Sequence, residues 1–139
     1  MTGSQNYDFD ISSDEIKALR ARISVPEANI VLIHELPVVS PFSITVMWDR
    51  IDEITTPWSR FVVAANLCDT ARPNTQSRHE LTRRISAHKG KLIRLVAATG
   101  NNAVIRAAAW FVLGRSGIPV SVVSNEAQAL ERANQELSS

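Results

Sequence analysis

Cysteine is almost missing from this chain: Cys68 is the only one in 139 residues. No intrachain disulfide can form, and a reducing, cytoplasmic setting is the default expectation. Glycine is scarce as well, five in all and nowhere clustered, which excludes the glycine-rich phosphate cradles of Walker and dinucleotide sites; Gly100-Asn101-Asn102 supplies a single glycine. Long apolar runs are lacking. The most apolar segment, residues 103–113, is too short for a bilayer and is interrupted by Arg106, so it reads as a buried or interface helix, and no signal peptide opens the chain. The three histidines, His34, His79 and His88, have no ligand spacing to one another, and neither a metal nor a cofactor is expected. Aromatic residues do not interleave with the basic ones, which argues against nucleic acid as a partner.

What is present is an ordinary complement of apolar and charged residues, enough for one domain that buries roughly 70% of its unfolded surface. The net charge is +1, but its distribution is uneven. Asp8, Asp10, Asp14, Glu15, Glu27, Glu35, Asp49, Asp52 and Glu53 precede Asp69, whereas Arg72, Arg78, Arg83, Arg84, Lys89, Lys91 and Arg94 follow it with Glu80 as the only acid among them. Such a split makes either complementary faces on one small domain or two solvated surfaces that attract each other weakly.

Hydrophobic periodicity orders the chain. Residues 1–19 read as an arm with a short strand at Tyr7-Asp8-Phe9-Asp10-Ile11 and one or two helical turns over 12–19, where Ser12 and Glu15 have capping-box spacing. From Arg20, alternation of Ala21, Ile23 and Val25 with polar residues predicts a half-buried strand, residues 26–29 a turn, and residues 30–36 a second strand paired with the first as a hairpin. Ser40-Pro41 is a helix entry; the helix runs to about Ile54 with Ile44, Met47, Ile51 and Ile54 on one stripe and Trp48 at its edge. Trp58 is a packing lid before the apolar strand that begins at Phe61. The next helix starts at Asn74 or Thr75 and is closed by Gly90, with Leu81, Ile85 and either Ala87 or His88 inward. Residues 91–99 form an apolar strand, residues 103–114 a helix, residues 120–123 a strand. A last helix, capped by Ser124 or Asn125, turns Ala127, Leu130, Ala133 or Asn134, and Leu137 inward. The expected architecture over residues 20–139 is one α/β domain: a single open, mostly parallel sheet with an initial antiparallel hairpin and helices packed against it.

The apolar strand 91–99, the turn Gly100-Asn101-Asn102, the helix containing Ala107-Ala108-Ala109-Trp110-Phe111-Val112, and the closing Val120-Ser121-Val122-Val123-Ser124-Asn125-Glu126-Ala127-Gln128-Ala129-Leu130 together resemble the SpoIIAA-like branch of STAS domains, over roughly residues 20–135. The resemblance implies a non-enzymatic regulatory module that binds a partner protein; some relatives of that fold bind nucleotides or lipids instead. In the anti-sigma-factor antagonist branch a loop after the central strand carries an Asp-Ser-Ser/Ala-Gly motif whose serine is phosphorylated by a partner kinase. Here Asp69-Thr70-Ala71-Arg72 stands at that place without the glycine and with Pro73 following. The candidate acceptors are Thr70 and, near the helix start, Thr75 and Ser77. A helix N-terminus flanked by Arg72 and Arg78 also reads as an anion or partner site, with Asp69, Asn74 and Arg83 completing the candidate surface. A second copy of the chain is a further candidate partner, because the 103–113 helix offers more apolar surface than one sheet face needs. A phosphoryl-receiver arrangement would use Asp69 and Thr99 as acceptor and switch, but Ile118-Pro119 stands where its lysine belongs.

Overall fold

The computed structural model describes residues 13–139, so the predicted strand at residues 7–11 and the Ser12 cap lie outside the described residues. In chain order the elements are α1 (Ser13–Arg20), β1 (Ile23–Glu27), β2 (Ile30–His34), α2 (Pro41–Thr55), β3 (Phe61–Asn66), α3 (Thr75–Ser86), β4 (Leu92–Ala98), α4 (Ala103–Gly114), β5 (Val120–Val123) and α5 (Glu126–Leu137). The five strands lie in sequence order; β1 and β2 are antiparallel and every later pair is parallel. This is the expected α/β architecture.

A parallel sheet that grows in one direction by crossovers of one hand places every crossover helix on the same face. Residues of α2, α3 and α4 accordingly share a core with Val31, Ile33, Phe61, Val63, Leu95 and Ala97. The opposite face, built from Ile30, Leu32, Val62, Ala64, Val96 and Ala98, is covered by α5. Side chains alternate between these cores along each strand, as a period of two requires.

Local signals set the helix starts. Ser40 and Ser43 form a reciprocal capping box at α2 with Pro41 in the first turn, and Asn74, Asn102 and Asn125 cap α3, α4 and α5. Several expectations require correction. The first strand begins at Ile23 because residues up to Arg20 belong to α1, and Pro26 and Glu27 remain in β1 through a bulge between Ser24 and Glu27. An edge strand tolerates a proline, which has no N–H to contribute; Val25, expected inside, is 42% exposed there. Gly90 does not cap α3: the helix ends at Ser86 with Ala87 as its cap, and Gly90, at φ 96°, serves the turn into β4. Of the two alternatives Ala87 and His88, it is His88 that turns inward, with its ring against Trp48 and edge-on to Phe61. On α5 the buried residues are Ala129 and Ala133, while Ala127 and Asn134 are exposed and Leu130 and Leu137 flank the contact. Alanines at this spacing let the helix settle close to the sheet, and the larger leucines fill its margins. Trp58 packs against Phe61 at 6.4 Å between ring centroids, as a lid over the core.

The charge split resolves inside the molecule. Arg84, nearly buried, donates from Nη2 to Asp49 Oδ1 at 2.6 Å and Asp52 Oδ2 at 2.9 Å across the α2–α3 contact, and His88 Nε2 lies 2.7 Å from Asp52 Oδ1. Arg83 pairs with Glu80, Arg94 with Glu136, and Lys91 Nζ donates to the Thr55 carbonyl at the end of α2. Arg83, Arg84 and Arg94 thus neutralise carboxylates of their own chain.

Candidate functional site

The loop 67–74 leaves the C-terminal end of β3 and is pinned at both sides. Leu67 N–H donates to the Ala98 carbonyl at 2.8 Å and Ala71 N–H to the Pro37 carbonyl at 2.7 Å, while Cys68 N–H donates to Asn66 Oδ1 at 3.1 Å. The Cys68 thiol points toward the Ala98 and Ser124 carbonyls, a packing role. Asn74 closes the loop by accepting from Ser77 N–H at 2.8 Å.

The sequence-predicted residues divide in this setting. Asp69 and Arg72 are exposed, and Arg72 has no hydrogen-bond or ion-pair partner among the described residues. Arg78 folds back: its guanidinium donates to the Pro73 carbonyl at 2.8 Å and to Thr75 Oγ1 at 2.9 Å, so it holds the loop shut. Arg83 lies more than one turn into α3 and is held by Glu80 at 2.7 Å; it does not join Arg72 at the helix start, correcting its place in the candidate anion site. Ser77 is fully buried, and no kinase reaches a hydroxyl in that position without opening α3, which removes it as an acceptor. Thr75 is exposed and Thr70 is half-buried. Thr99 is fully buried with its hydroxyl toward the Gly100 carbonyl, whereas Asp69 is exposed. Among the described residues no three His, Cys, Asp or Glu side chains could hold one metal ion.

Sequence reasoning missed what lies beside the loop. Gly100, at φ 66°, turns the chain into α4, and Asn102 Oδ1 accepts from the amides of Val104 and Ile105. From there Ala109, Val112 and Leu113 face the core, but Val104 is 73%, Trp110 51% and Phe111 53% exposed. Under α4, against the ends of β3 and β4, lies a cavity of about 110 Å³ whose walls are almost wholly apolar. Val63, Ala65, Leu95, Ala109 and Val112 contribute to it, with Glu35, Thr70 and Arg72 as its few polar residues. Arg72, Val104 and Ala108 also border a shallow outer groove of about 430 Å³ that reaches Phe111. The apolar character of the 103–113 segment was the visible signal for this surface; its coincidence with Arg72 was not visible.

Among the described residues Glu35 is the one acidic group in the cavity wall. Burial pushes its carboxyl above the ordinary glutamate value, against a hydrogen bond from Leu36 N–H at 2.9 Å and the charge of Arg22. Because the folded pKa exceeds the unfolded one, the folded state binds more protons; this group's contribution to stability is present at low pH and lost as pH rises through the folded pKa. Glu35→Gln, which retains an acceptor for Leu36, is expected to raise the melting temperature at neutral pH. The gain should fade as pH falls through the raised folded pKa and be gone below the ordinary value of 4.5; parallel thermal melts across that range measure it.

No family model matches the chain, and no curated protein is significantly similar to it. The fold defines the class: an α/β domain with an antiparallel hairpin leading a parallel sheet, bearing a pinned loop and an exposed apolar helix at one end. Among the described residues no helix is long and apolar enough to cross a membrane.

Proposed function

We propose that this chain is a non-enzymatic regulatory module of the SpoIIAA-like STAS kind, working in the cytoplasm by docking a partner protein. The observation that carries this reading is the exposed apolar side of α4, with Val104, Trp110 and Phe111, lying beside Arg72 of the loop, which has no partner among the described residues. An apolar patch edged by an exposed guanidinium suits a partner surface with an apolar centre and a carboxylate at its rim. The loop is held rigid by Arg78 and the Ala71–Pro37 bond, so little ordering opposes docking.

Thr75 supplies a switch in this reading. It is exposed at the first position of α3, and its hydroxyl already accepts from Arg78. Phosphate there would meet the positive end of the helix and the Arg78 guanidinium, and would reverse the sign of the surface next to Arg72.

The test is affinity capture from native lysate with wild-type protein, Arg72→Glu and Phe111→Glu. Arg78 is left intact, since changing it would open the loop itself. A protein captured by the wild type is expected to be lost with both variants while their melting temperatures stay within a degree or so of wild type, as for surface substitutions generally. Equal capture by all three would remove this face from the reading.

A further inference from the structure

The cavity beneath α4 shares Arg72, Val104 and Ala108 with the outer face, but its other walls lie beneath the helix. We infer that it is a binding site for a short- to medium-chain monocarboxylate, whose apolar end fills the space between α4 and the β3 and β4 ends and whose carboxylate meets Arg72 at the mouth.

Three observations converge on this ligand class. The walls are apolar on nearly every side, so a nucleotide finds neither phosphate donors nor partners for its base. A dry cavity of roughly 150 Å³ takes up benzene, and by that measure the 110 Å³ here receives about four carbons of a chain. Longer chains reach the groove beyond the mouth, which Val104, Ala108 and Arg72 share with the cavity. The head group follows from which polar residue is unserved. Glu35 already accepts the Leu36 amide at 2.9 Å and lies near the charge of Arg22, whereas Arg72 has no partner among the described residues. An anionic head supplies one; a cationic head would lie against Arg72.

The tail contributes most of the affinity, by removing methylenes from water, and the guanidinium adds direction. Burial of the four or so carbons that the cavity receives, at about 0.8 kcal/mol each, corresponds to a dissociation constant on the order of 4 mM before the guanidinium contributes. The inference does not depend on the docking reading, although both use Arg72, and it is tested on the isolated protein.

The experiment is titration of the purified full chain with sodium octanoate, 1-octanol and octylamine, below micelle formation, followed by backbone amide NMR and calorimetry. Octanoate is expected to give saturable shifts at Val63, Ala65, Ala109 and Val112 and to bind about tenfold more tightly than octanol. Arg72→Gln should reduce octanoate to the level of octanol while leaving octanol unchanged. Ala108→Phe, which fills the mouth, should abolish both, and because Arg72→Gln is a surface change the test holds even if Ala108→Phe folds poorly. Absence of saturable shifts at the cavity residues, octanoate binding untouched by Arg72→Gln, or tighter binding of octylamine would each overturn the inference. Shifts confined to exposed Val104 and Phe111 would do the same, as adsorption to the outer face. A failure here leaves the docking surface standing, because partner capture needs only the exterior of α4.

Discussion

Arg84→Ala is expected to destabilise the domain by about 3–5 kcal/mol, the usual consequence of removing one partner from a buried ionic cluster. The side chain retains only 10% of its exposure and is ringed by Asp49 at 2.6 Å, Asp52 at 2.9 Å and Glu80 at 4.0 Å. Its loss leaves carboxylates of α2 and α3 facing one another with a void between the helices. Arg84→Met fills the void and isolates the electrostatic part, so it should fall between the wild type and alanine. Urea unfolding at neutral pH measures all three.

The pH dependence provides an independent check on this network. Burial alone would raise the Asp52 carboxyl, but the hydrogen bond from His88 and the charges of Arg84 and His88 outweigh it, so Asp52 titrates below its ordinary value of 3.8. Glu80 is lowered as well, chiefly by its hydrogen bond from Arg83. A folded pKa below the unfolded one contributes stability that is present above the unfolded value and lost as pH falls through the folded one. The difference between wild type and Arg84→Ala should therefore narrow below the ordinary carboxylate range, leaving only the packing part.

Phe61→Ala is the second large effect, at about 3–5 kcal/mol. Phe61 is fully buried at the start of β3, paired with Leu92 across the sheet, with the His88 ring edge-on at 5.4 Å and Trp58 above it at 6.4 Å. Truncation leaves a cavity at the point where α2, the α3–β4 turn and the central strand meet. A domain of this size should lose on the order of 10 °C in melting temperature. Trp58→Ala should cost clearly less, because Trp58 is only partly buried; equal losses would mean that the lid, and not the buried ring, holds this corner. Differential scanning calorimetry of both variants separates the two.

The order of elements was legible in the residues because each signal for it is local. Ser40-Pro41 specifies a helix start through its own hydroxyl and ring, Asn102 through its own side-chain oxygen, and an apolar run such as residues 92–98 has no stable place except between two covered faces. The errors, and the choices left open, fell where neighbours in space decide. Edge position allowed Pro26 to stay within β1, the close approach of α5 selected Ala129 and Ala133 over Ala127, and the turn after α3 chose His88 over Ala87 by carrying it onto Trp48. The candidate loop was legible in location and less so in content. Ser77 and Arg78 look like an acceptor and an anion-binding base in sequence, yet one is buried and the other ties the loop to itself.

By itself, then, the sequence determined the α/β class, the run of five strands and the caps that start the helices, since these rest on periodicity and on side chains acting within a few residues of themselves. Only the tertiary structure decided which charges meet and which remain free. Arg84 and Asp52 are 32 residues apart in the chain and 2.9 Å apart in space, and no local pattern encodes that pairing. The same long-range packing engages Arg84, Lys91 and Arg94, leaves Arg72 without a partner among the described residues, and opens the cavity beneath α4. Both the docking face and the inferred ligand site are products of that packing.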